Sequence, residues 1–532
     1  MKGELKEKTR YIYDPVHGPV ELTPMEWRLV NTRAFQRLRR IKQLGLVDLV
    51  FPGAEHSRFT HSLGTLAMMS TLLSHLTCQY KGLSKSLRKL EPTLRAAALL
   101  HDIGHFPLSH LFETVYRHWT ERLGEDGDVT VTAPQPSRYL QEAASLFSSK
   151  PEENREYGHE EMSARVVRGR TEISKILDDE GIDPGVVARL ICGDYVRKGI
   201  GQAPPGGPKV PVVAALLMTS SLDADRLDYM KRDCCETHMI YGQVDEAYIS
   251  RMLLVAPAAE DKSQKVLALP LKAIRTADHY MLARFHFYTQ IIYHKTALAF
   301  NTVAGALLLH MLRNKEMGPY DDSMSVQGLV NTDYFLDFTD QVFWNKVRLF
   351  LREDSLPGAW ARTLYHRLRP NAFGVKEEFV PRGEAVGPSD TRDTEFQRFC
   401  ETEKVDPDHS FFQDTSLRLA DIDSSYGPRP TGKLAGDRTK ALRVYDHKNN
   451  VAVCLADRDD SLTAKFAAQK WVRSATYTLD EAALSLPDLS AYERATREYV
   501  LRERAGSLNH ELQRINLELE GLTGPGPRPV KR

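Results

Sequence analysis

The segment AAALLHDIGHFPLSH, residues 96–110, constrains the fold more than any other stretch of this chain. Its first five residues are small and apolar, which predicts the end of a buried helix. His101, Asp102, His105 and His110 then follow within ten residues. Buried polar side chains need partners. A fold that contains this segment must therefore place a polar cleft beside a helix of its core.

His101 and Asp102 are together a candidate pair of metal ligands. Adjacent residues of a helix point about 100° apart, so both reach one ion only if it lies beside that helix. Imidazole nitrogen and carboxylate oxygen suit Mn, Fe, Zn or Mg. Further ligands must come from elsewhere, and His61 in HSRFTHSLG and Asp225 in SSLDADRLDYMKRD are the candidates. Taken alone, the His-Asp dipeptide fits equally well with residues that only cap or satisfy local backbone.

The composition is that of a globular protein with one large domain or two to three ordinary ones. The 532 residues are 42% hydrophobic and 27% charged, and the formal net charge is zero. Nucleic-acid binding is therefore not favoured, although RAFQRLRRIK offers a local basic strip. The six cysteines form no CxxC pair, which fits a reducing cytoplasm. No apolar run approaches the roughly 18 residues of a membrane span, so we predict a cytoplasmic protein without membrane association.

Helical periodicity dominates the first part of the chain. Apolar residues at three- and four-residue intervals predict helices over 22–45, 61–80, 90–105, 211–234 and 276–314. Two polar segments interrupt this pattern and predict loop insertions at about 121–156 and 197–211. This part reads as one large helical domain.

The second part of the chain is mixed. RMLLVAP with KVLALPL, and KALRVYD with VAVCLAD around HKNN, predict two β-hairpins. Further helices are predicted over 460–477 and 490–522. We therefore predict a mainly α protein with a helical catalytic core over 1–310, a smaller C-terminal helical and α+β lobe over 311–522, and a disordered tail over 523–532.

Four motifs occur in a characteristic order: RFTHSLG, LLHDIGHFPLSH, HEEMS and DADRLDYMKRD. This ordered set resembles the HD-domain superfamily. It is most similar to the deoxynucleoside triphosphate triphosphohydrolases (dNTPases), which include the animal SAM-and-HD-domain enzyme. The similarity is detailed over about residues 10 to 300, where DPVHGPVELTPMEWRLVNTRAFQRLRRIKQLG also matches, and it is faint thereafter. The resemblance implies an HD-domain helical core.

The resemblance also implies a metal centre and a reaction. The family's metal ligands fall on His61, His101, Asp102 and Asp225, for a divalent ion such as Mn, Mg, Fe or Zn. Two neutral imidazoles and two carboxylates cancel most of the charge of such an ion and leave positions for water and a phosphate oxygen. The implied reaction is attack of water on the α-phosphorus of a dNTP, which yields deoxynucleoside and inorganic triphosphate.

Catalytic proton transfer is expected from the residues around the second half of the opening segment. In the family, histidines at the positions of His110 and His159 and an acidic residue at Glu113 are linked to proton transfer, and His105 lies close in sequence. Glu113 is three residues after His110 and can orient its imidazole on one helix face. This acidic residue is Glu113 here and an Asp in relatives, so its side chain is longer by one methylene group. The alternative is that His105, His110 and His159 are polar residues satisfied near a cleft.

Seven residues match positions that bind substrate in the family: Gln43, Leu44, Arg58, Arg226, Tyr229, Asp233 and Arg284. The three arginines match phosphate-binding positions, and arginine can bind phosphate oxygens bidentately. The glutamine and leucine match residues that contact the sugar. Tyr229 and Asp233 fall one and two helical turns after Asp225, on the same face. The alternative is a set of surface arginines, a core tyrosine and a surface aspartate.

Regulation is expected to differ from that of the animal relatives, which nucleotides activate at tetramer interfaces. Gln36 and Arg39 match a guanine-binding position, but Asn31 replaces an aspartate. An aspartate accepts both N–H donors of the guanine edge, whereas asparagine offers one acceptor oxygen. At a second regulatory position Lys272 matches and Pro270 replaces an arginine. We predict a homo-oligomer, a dimer or tetramer, and a nucleotide activator outside the animal scheme. The alternative is that Asn31, Gln36 and Arg39 are only the face of an amphipathic helix.

Three functions stay open at this point. The leading one is metal-dependent hydrolysis of dNTPs, for nucleotide balance or antiviral defence. The second is an HD phosphohydrolase acting on ribonucleotides, modified nucleotides or single-stranded nucleic acid, because Ile292 replaces a tyrosine that helps to exclude ribose. The third is a catalytically silent nucleotide sensor, which an intact set of four metal ligands disfavours.

Overall fold

The computed structural model describes residues 9–125, 137–147, 158–197, 210–320, 328–381, 389–418, 440–466, 469–486 and 502. Met1–Leu484 forms one compact unit and Ser485–Arg532 a second one. Helices predominate among the described residues, and most strands follow residue 250. The predicted mainly α fold with a helical core is confirmed.

The described helices before residue 314 are α1 Pro24–Val30, α2 Arg33–Arg37, α3 Arg58–Gln79, α4 Lys81–Leu100, α5 His110–Glu125, α6 Ser137–Leu146, α7 His159–Arg168, α8 Glu172–Asp179, α9 Pro184–Ile191, α10 Asp194–Arg197, α11 Val212–Leu216, α12 Ala224–Glu236, α13 Glu246–Met252, α14 Ile274–Phe287 and α15 Lys295–Arg313. Later helices span Asp333–Asp337, Asp340–Phe350, Leu356–Tyr365, Ser389–Glu403, Leu462–Phe466 and Glu481–Leu484.

Nine described strands form three sheets. The strands are β1 Arg10–Asp14, β2 Gly18–Leu22, β3 Leu254–Pro257, β4 Lys265–Pro270, β5 Asn371–Pro381, β6 Ser410–Arg418, β7 Arg443–Asp446, β8 Val451–Cys454 and β9 Gln469–Thr478. The sheet orders are β1-β2, β3-β4-β7-β8 and β5-β9-β6. Both predicted hairpins are confirmed, as antiparallel pairs β3–β4 and β7–β8. Strand β4 pairs with β7 in parallel, and this pairing joins the two hairpins into one sheet.

The helical hairpin α3–α4 positions the site. The two helices pack against each other and are separated only by Tyr80. The first turn of α3 therefore lies beside the last turn of α4. Every residue of α4 from Leu94 to Leu100 is buried, which anchors this end of the hairpin in the core. Helix α12 packs on α3 and completes the arrangement.

Four predicted helices are wrong in part, and two of them are split: 211–234 into α11 and α12, and 276–314 into α14 and α15. The stretch 22–45 is broken after Val30, because the Thr32 side chain accepts a hydrogen bond from the Phe35 amide and caps a new helix. The stretch 460–477 is helical only over Leu462–Phe466 and then becomes strand β9. Its partners β5 and β6 come from earlier in the chain, and their pairing outweighs the local helical pattern.

Helix α15 is the central apolar helix of the described part. By length and composition it could cross a membrane, but most of it is buried inside the protein. It packs on α5, α6 and the helix Leu356–Tyr365. The apolar character of α15 therefore serves core packing in this fold.

Some expectations fall outside the described residues. The insertions predicted at 121–156 and 197–211 are described only in part, including α6. The predicted helix 490–522, apart from residue 502, and the tail 523–532 lie outside. The division near residue 310 stays a prediction.

Close packing of the turn after α4 against α7 generates a testable prediction. A Cβ on Gly104 would lie 2.1 Å from the Ser163 amide nitrogen and 2.3 Å from the Met162 carbonyl carbon. Both are backbone atoms, so Gly104→Ala must separate the turn from α7. We expect a loss of about 3 kcal/mol in the free energy of unfolding, measured by urea denaturation.

Gly82→Ala is the matched control. Gly82 lies in α4, and a Cβ there meets no atom within 4 Å. This substitution should stabilise the protein by about 0.5–1 kcal/mol through helix propensity. Equal effects of the two substitutions would contradict the close packing at Gly104.

Candidate metal centre and catalytic cleft

The four predicted metal ligands meet where α3, α4 and α12 converge. His61 Nε2 lies 3.1 Å from His101 Nε2 and 3.0 Å from Asp225 Oδ1. Asp102 Oδ1 is 3.5 Å from His101 Nε2, and Asp102 Oδ2 is 3.8 Å from His61 Nε2. The His101–Asp102 pair follows the last residue of α4, where the chain turns. Three distant segments thus direct nitrogen and oxygen atoms at one point.

The tautomers of the two histidines explain why this point needs a cation. His61 Nδ1 donates to Asp228 Oδ2 at 2.7 Å, and His101 Nδ1 donates to the Ala98 carbonyl at 2.9 Å. Because each Nδ1 carries a proton, a neutral ring presents a lone pair at Nε2. The two Nε2 atoms lie 3.1 Å apart, so both rings can bind one ion once the proton on His61 is displaced. A divalent metal ion between them, with the two carboxylates, fits this donor set.

The electrostatics of the ligands favour the same occupant. Burial lowers the pKa of His61, but hydrogen bonds with Asp225 and Asp228 outweigh it and raise the pKa to about 10. Burial raises the pKa of Asp225, but the bond from His61 and nearby positive charge lower it to about 2. Burial also raises the pKa of Asp102, and the charge of Arg58 holds it well below its usual range. At neutral pH both carboxylates are ionised, and a proton occupies His61 until a metal replaces it.

A buried network behind His61 was missed by the sequence analysis. Asp228 Oδ1 accepts from His17 Nε2 at 2.6 Å. Arg232 donates to both Asp228 oxygens at 2.9 and 3.0 Å and to both Asp14 oxygens at 2.9 and 3.1 Å. The feature of the sequence that could have predicted this network is the spacing of Asp228 and Arg232, which are four residues apart and therefore share one face of α12. The network orients the His61 ring through the carboxylate that holds its Nδ1.

A second cluster is built around Glu113, which is 4% exposed. Its Oε2 accepts from His110 Nδ1 at 3.0 Å and from His159 Nδ1 at 3.1 Å. Its Oε1 accepts from Arg117 Nη2 at 3.0 Å and from the His159 amide at 3.2 Å. Burial raises the pKa of Glu113, but His159 and His110 outweigh it and hold it well below its usual range. The structure thus joins three of the predicted catalytic residues through one carboxylate.

The histidines of this cluster differ in charge and access. Burial lowers the pKa of His105 well below its usual value, so its ring is neutral. That ring stacks on His159 at 4.5 Å. Burial also lowers the pKa of His159, but Glu160 and Glu113 raise it to about 10, so this ring is cationic. The His110 side chain is 67% exposed, which leaves it open to a substrate.

Arg58, expected at a phosphate, is engaged by the protein. Its Nη1 donates to Asp102 Oδ2 at 2.5 Å, its Nε to Ser109 Oγ at 2.9 Å, and its Nη2 to the Gln43 carbonyl at 3.2 Å. The three nitrogens of Arg58 therefore connect Asp102, Ser109 and the loop that contains Gln43. Leu44, next in that loop, is half-buried against the core.

Arg226 is similarly paired with its neighbours. Its Nη1 donates to the Asp223 carboxylate and, at 3.1 Å, to the Ser220 carbonyl. Asp223 in turn caps α12 by accepting from the Arg226 amide at 2.8 Å. This pair stabilises the start of the helix that carries Asp225.

Other predicted substrate residues carry buried polar atoms that lack partners within the described residues. Arg284 is 3% exposed, and its Nε and Nη1 have no hydrogen-bond acceptor there. Gln43 Oε1 and His56 Nδ1 are buried and likewise unpaired. The other nitrogen of His56 bonds Asp233 Oδ1 at 2.8 Å. Unsatisfied buried polar atoms are rare in folded proteins. These atoms are therefore candidate binding groups for a polar ligand.

Aromatic rings surround the position of Ile292. It ends a π-helical turn, Tyr288–Ile292, that separates α14 from α15. The Tyr288 and Tyr293 rings lie 6.1 Å apart. The pKa of Tyr229 is raised well above its usual value by burial and also by Tyr288. Tyr288 thus lies near Tyr229, a predicted substrate residue, although Ile292 itself is aliphatic.

The residues of the first predicted regulatory site form local contacts. Asn31 Nδ2 donates to the Trp27 carbonyl at 2.7 Å, and Arg39 Nε donates to Gln36 Oε1 at 2.8 Å. The Arg39 guanidinium lies 3.6 Å from the centre of the Phe59 ring, one residue after Arg58 at the start of α3. Arg39 therefore packs against the first turn of α3.

The second predicted regulatory position lines a surface cleft of about 790 Å³. Pro270 and Lys272 lie in its wall together with Tyr80, Arg251 and His447. Two of the lining side chains are permanent cations. The other lining residues include the apolar Met252, Leu254 and Leu271, so the wall of the cleft is mainly apolar.

Comparison with known proteins agrees with this geometry. The HD domain family model matches residues 58–193. Uncharacterized protein YwfO of Bacillus subtilis is 30% identical over 296 residues, which cover 55% of this chain and 53% of YwfO. Deoxynucleoside triphosphate triphosphohydrolase SAMHD1 of Gallus gallus is 30% identical over 230 residues, 42% of this chain and 33% of SAMHD1. The chain therefore spans about half or less of the length of the curated relatives it matches.

A solved structure shares the fold. A phosphohydrolase from Bacteroides thetaiotaomicron superposes with a TM-score of 0.59 at 21% identity and covers 89% of this chain and all of that one. The resemblance drawn from the ordered motifs is thereby confirmed. The chain contains an HD domain and is similar over part of its length to the deoxynucleoside triphosphate triphosphohydrolases.

Proposed function

We propose that this protein hydrolyses dNTPs to deoxynucleoside and inorganic triphosphate by metal-dependent attack of water on the α-phosphorus. The observation that carries the proposal is the convergence of His61, His101, Asp102 and Asp225, with both Nε2 atoms directed at one point. The partial similarity to SAMHD1 supports the choice of substrate. Residues 1–310 would carry the chemistry, and residues 311–522 would form the C-terminal lobe.

A divalent ion, Mn, Mg, Fe or Zn, is the proposed cofactor. Bound by these four residues, it would polarise the phosphoryl oxygen and lower the pKa of a coordinated water. Asp228 keeps the His61 ring oriented toward it. Arg58 holds Asp102 in place from the opposite side.

Proton transfer to the leaving 5′ oxygen is assigned to His110. Its Nδ1 is held by Glu113, so its exposed ring presents Nε2 to the cleft. The cationic His159 shares the same carboxylate and keeps it ionised. Neutral His105 packs against His159 and would line the cleft.

The remaining substrate contacts follow from the unpaired buried atoms. Arg284 has two nitrogens free for phosphate oxygens among the described residues, and Arg226 would assist it. The oxygen of Gln43 and the carboxylate of Asp233 would bind the sugar hydroxyl. Tyr229 and Leu44 would flank the sugar.

Regulation and assembly are part of the proposal. A homo-oligomer, a dimer or tetramer, in the cytoplasm would take a nucleotide activator beside Asn31, Gln36 and Arg39. Ribonucleotide turnover is the second candidate function, because Ile292 replaces the tyrosine that excludes ribose in relatives.

A product assay tests the reaction. Each dNTP and NTP, alone and in mixtures, is incubated with the protein and Mn²⁺ or Mg²⁺, and products are separated by ion exchange. We expect deoxynucleoside and triphosphate from dNTPs, and no turnover by Asp102→Ala because the ion loses a ligand. His110→Gln should lower kcat by about 10²–10⁴-fold, whereas the exposed His366→Gln should not. Cleavage of NTPs alone would replace the proposal with the second candidate.

Metal affinity tests the role of the network behind His61. Asp228→Asn keeps the volume of the side chain but weakens its hold on Nδ1. We expect the dissociation constant for Mn²⁺, measured by calorimetry, to rise about 10–100-fold. The exposed Asp178→Asn is the matched control, and an unchanged affinity in Asp228→Asn would refute an orienting role.

The pH dependence of metal binding follows from the raised pKa of His61. Below about pH 10 the metal-free histidine is protonated, so each ion must displace that proton. The apparent affinity should therefore rise with pH, by up to about tenfold per unit between pH 6.5 and 8.5. Calorimetry in two buffers of different ionisation enthalpy should show release of about one proton per ion. A pH-independent affinity would contradict this assignment.

A further inference from the structure

The turn that leads into α5 holds its backbone in an unusual conformation. Leu108 and Ser109 have φ angles of +52° and +55°. Neither is glycine, and two consecutive left-handed residues cost free energy that the surroundings must supply. His110, the proposed proton donor, follows directly as the first residue of α5.

A buried carboxylate from a remote segment holds this turn. Asp340 Oδ1 accepts from the Leu108 amide at 2.7 Å. Its other oxygen, Oδ2, accepts from the Lys42 amide at 2.9 Å. Asp340 is 6% exposed and lies 232 residues after Leu108. One side chain therefore ties the turn before His110 to the loop of Gln43.

Two further contacts reinforce the link that Asp340 makes between the Leu108 turn and the Lys42 loop, which together form a hydrogen-bonded clamp. Ser109 Oγ donates to the Lys42 carbonyl at 2.6 Å and accepts from Arg58 Nε at 2.9 Å. Arg37 is fully buried and donates to the carbonyls of Phe338 and His105 at 2.9 and 2.6 Å. The segment 338–340 is thus bound at two points to the residues that precede His110: Asp340 bonds the Leu108 amide, and Arg37 joins the Phe338 and His105 carbonyls.

We propose that Asp340 is a positioning residue, which sets His110 against the leaving group and the Gln43 loop against the sugar. It touches neither substrate nor metal ligand and acts through the amides of Leu108 and Lys42. The proposal rests on the function proposed above for the catalytic part. It also gives the C-terminal segment a role in catalysis.

Asp340→Asn is the principal test variant. Its amide keeps one acceptor oxygen and turns an NH₂ toward the other backbone N–H, so one bond of the clamp is lost. We expect kcat for dNTP hydrolysis to fall about ten- to hundredfold, because small displacements of a catalytic group are costly. Mn²⁺ affinity should stay within about twofold, since the metal ligands are not touched. The control is Asp337→Asn, an exposed aspartate three residues away.

A double-mutant cycle separates positioning from general damage. In the His110→Gln background, Asp340→Asn should lower kcat by a clearly smaller factor than in the wild type, because the part of its effect that passes through His110 is gone and only the part that passes through the Gln43 loop remains. Effects on kcat that simply multiply, or an equal loss of Mn²⁺ affinity, would overturn the proposal.

Hydrogen exchange tests the clamp without activity. In Asp340→Asn, peptides covering 40–46 and 103–112 should exchange about tenfold faster, while peptides elsewhere in the described residues exchange at wild-type rates. Unaltered exchange in both peptides would overturn the clamp even if dNTP hydrolysis is found. If the wild type hydrolyses no nucleotide but exchange increases as expected, the proposed function fails and the clamp stands.

Discussion

The site depends on one contact, the approach of the His61 and His101 rings at the end of the α3–α4 hairpin. Their Nδ1 atoms are committed to Asp228 and to the Ala98 carbonyl, so both Nε2 atoms face the same space. A proton occupies the metal-free His61, and a metal ion that displaces this proton would be bound by both rings. Buried ionised side chains cost several kcal/mol each unless they are paired. The Asp228–Arg232–Asp14 network meets that requirement with no exposed charge.

The cleft divides its titratable groups between two tasks. Around the metal position, ionised Asp102 and Asp225 provide negative charge. Around Glu113, His159 is cationic and the His110 side chain is exposed. Environment drives identical side-chain types to opposite states, as in enzymes that perform acid and base chemistry side by side. Arg58 lies between the two sets, because it bonds Asp102 on one side and Ser109 on the other.

The parts of the fold that local patterns predicted are those whose partners are local. The hairpins β3–β4 and β7–β8 form because turn residues separate adjacent strands. Helix α3 matches its apolar periodicity closely. Strand β9 was mistaken for helix because its pairing partners lie far away in sequence. A local pattern carries no information about such a partner.

The same distinction applies to the site. The sequence by itself determined the candidate ligand set, because the resemblance carried by the ordered motifs names His61, His101, Asp102 and Asp225. The structure brings His61, His101 and Asp225 together, with Asp102 beside them. Only the tertiary structure decided how each side chain is held. It directed Arg58 to Asp102, placed Asp228 behind His61, and brought Asp340 to Leu108 across 232 residues. The physical reason is that spacing along a helix determines which face a residue occupies, whereas hydrogen-bond partners depend on which distant segments pack against that face.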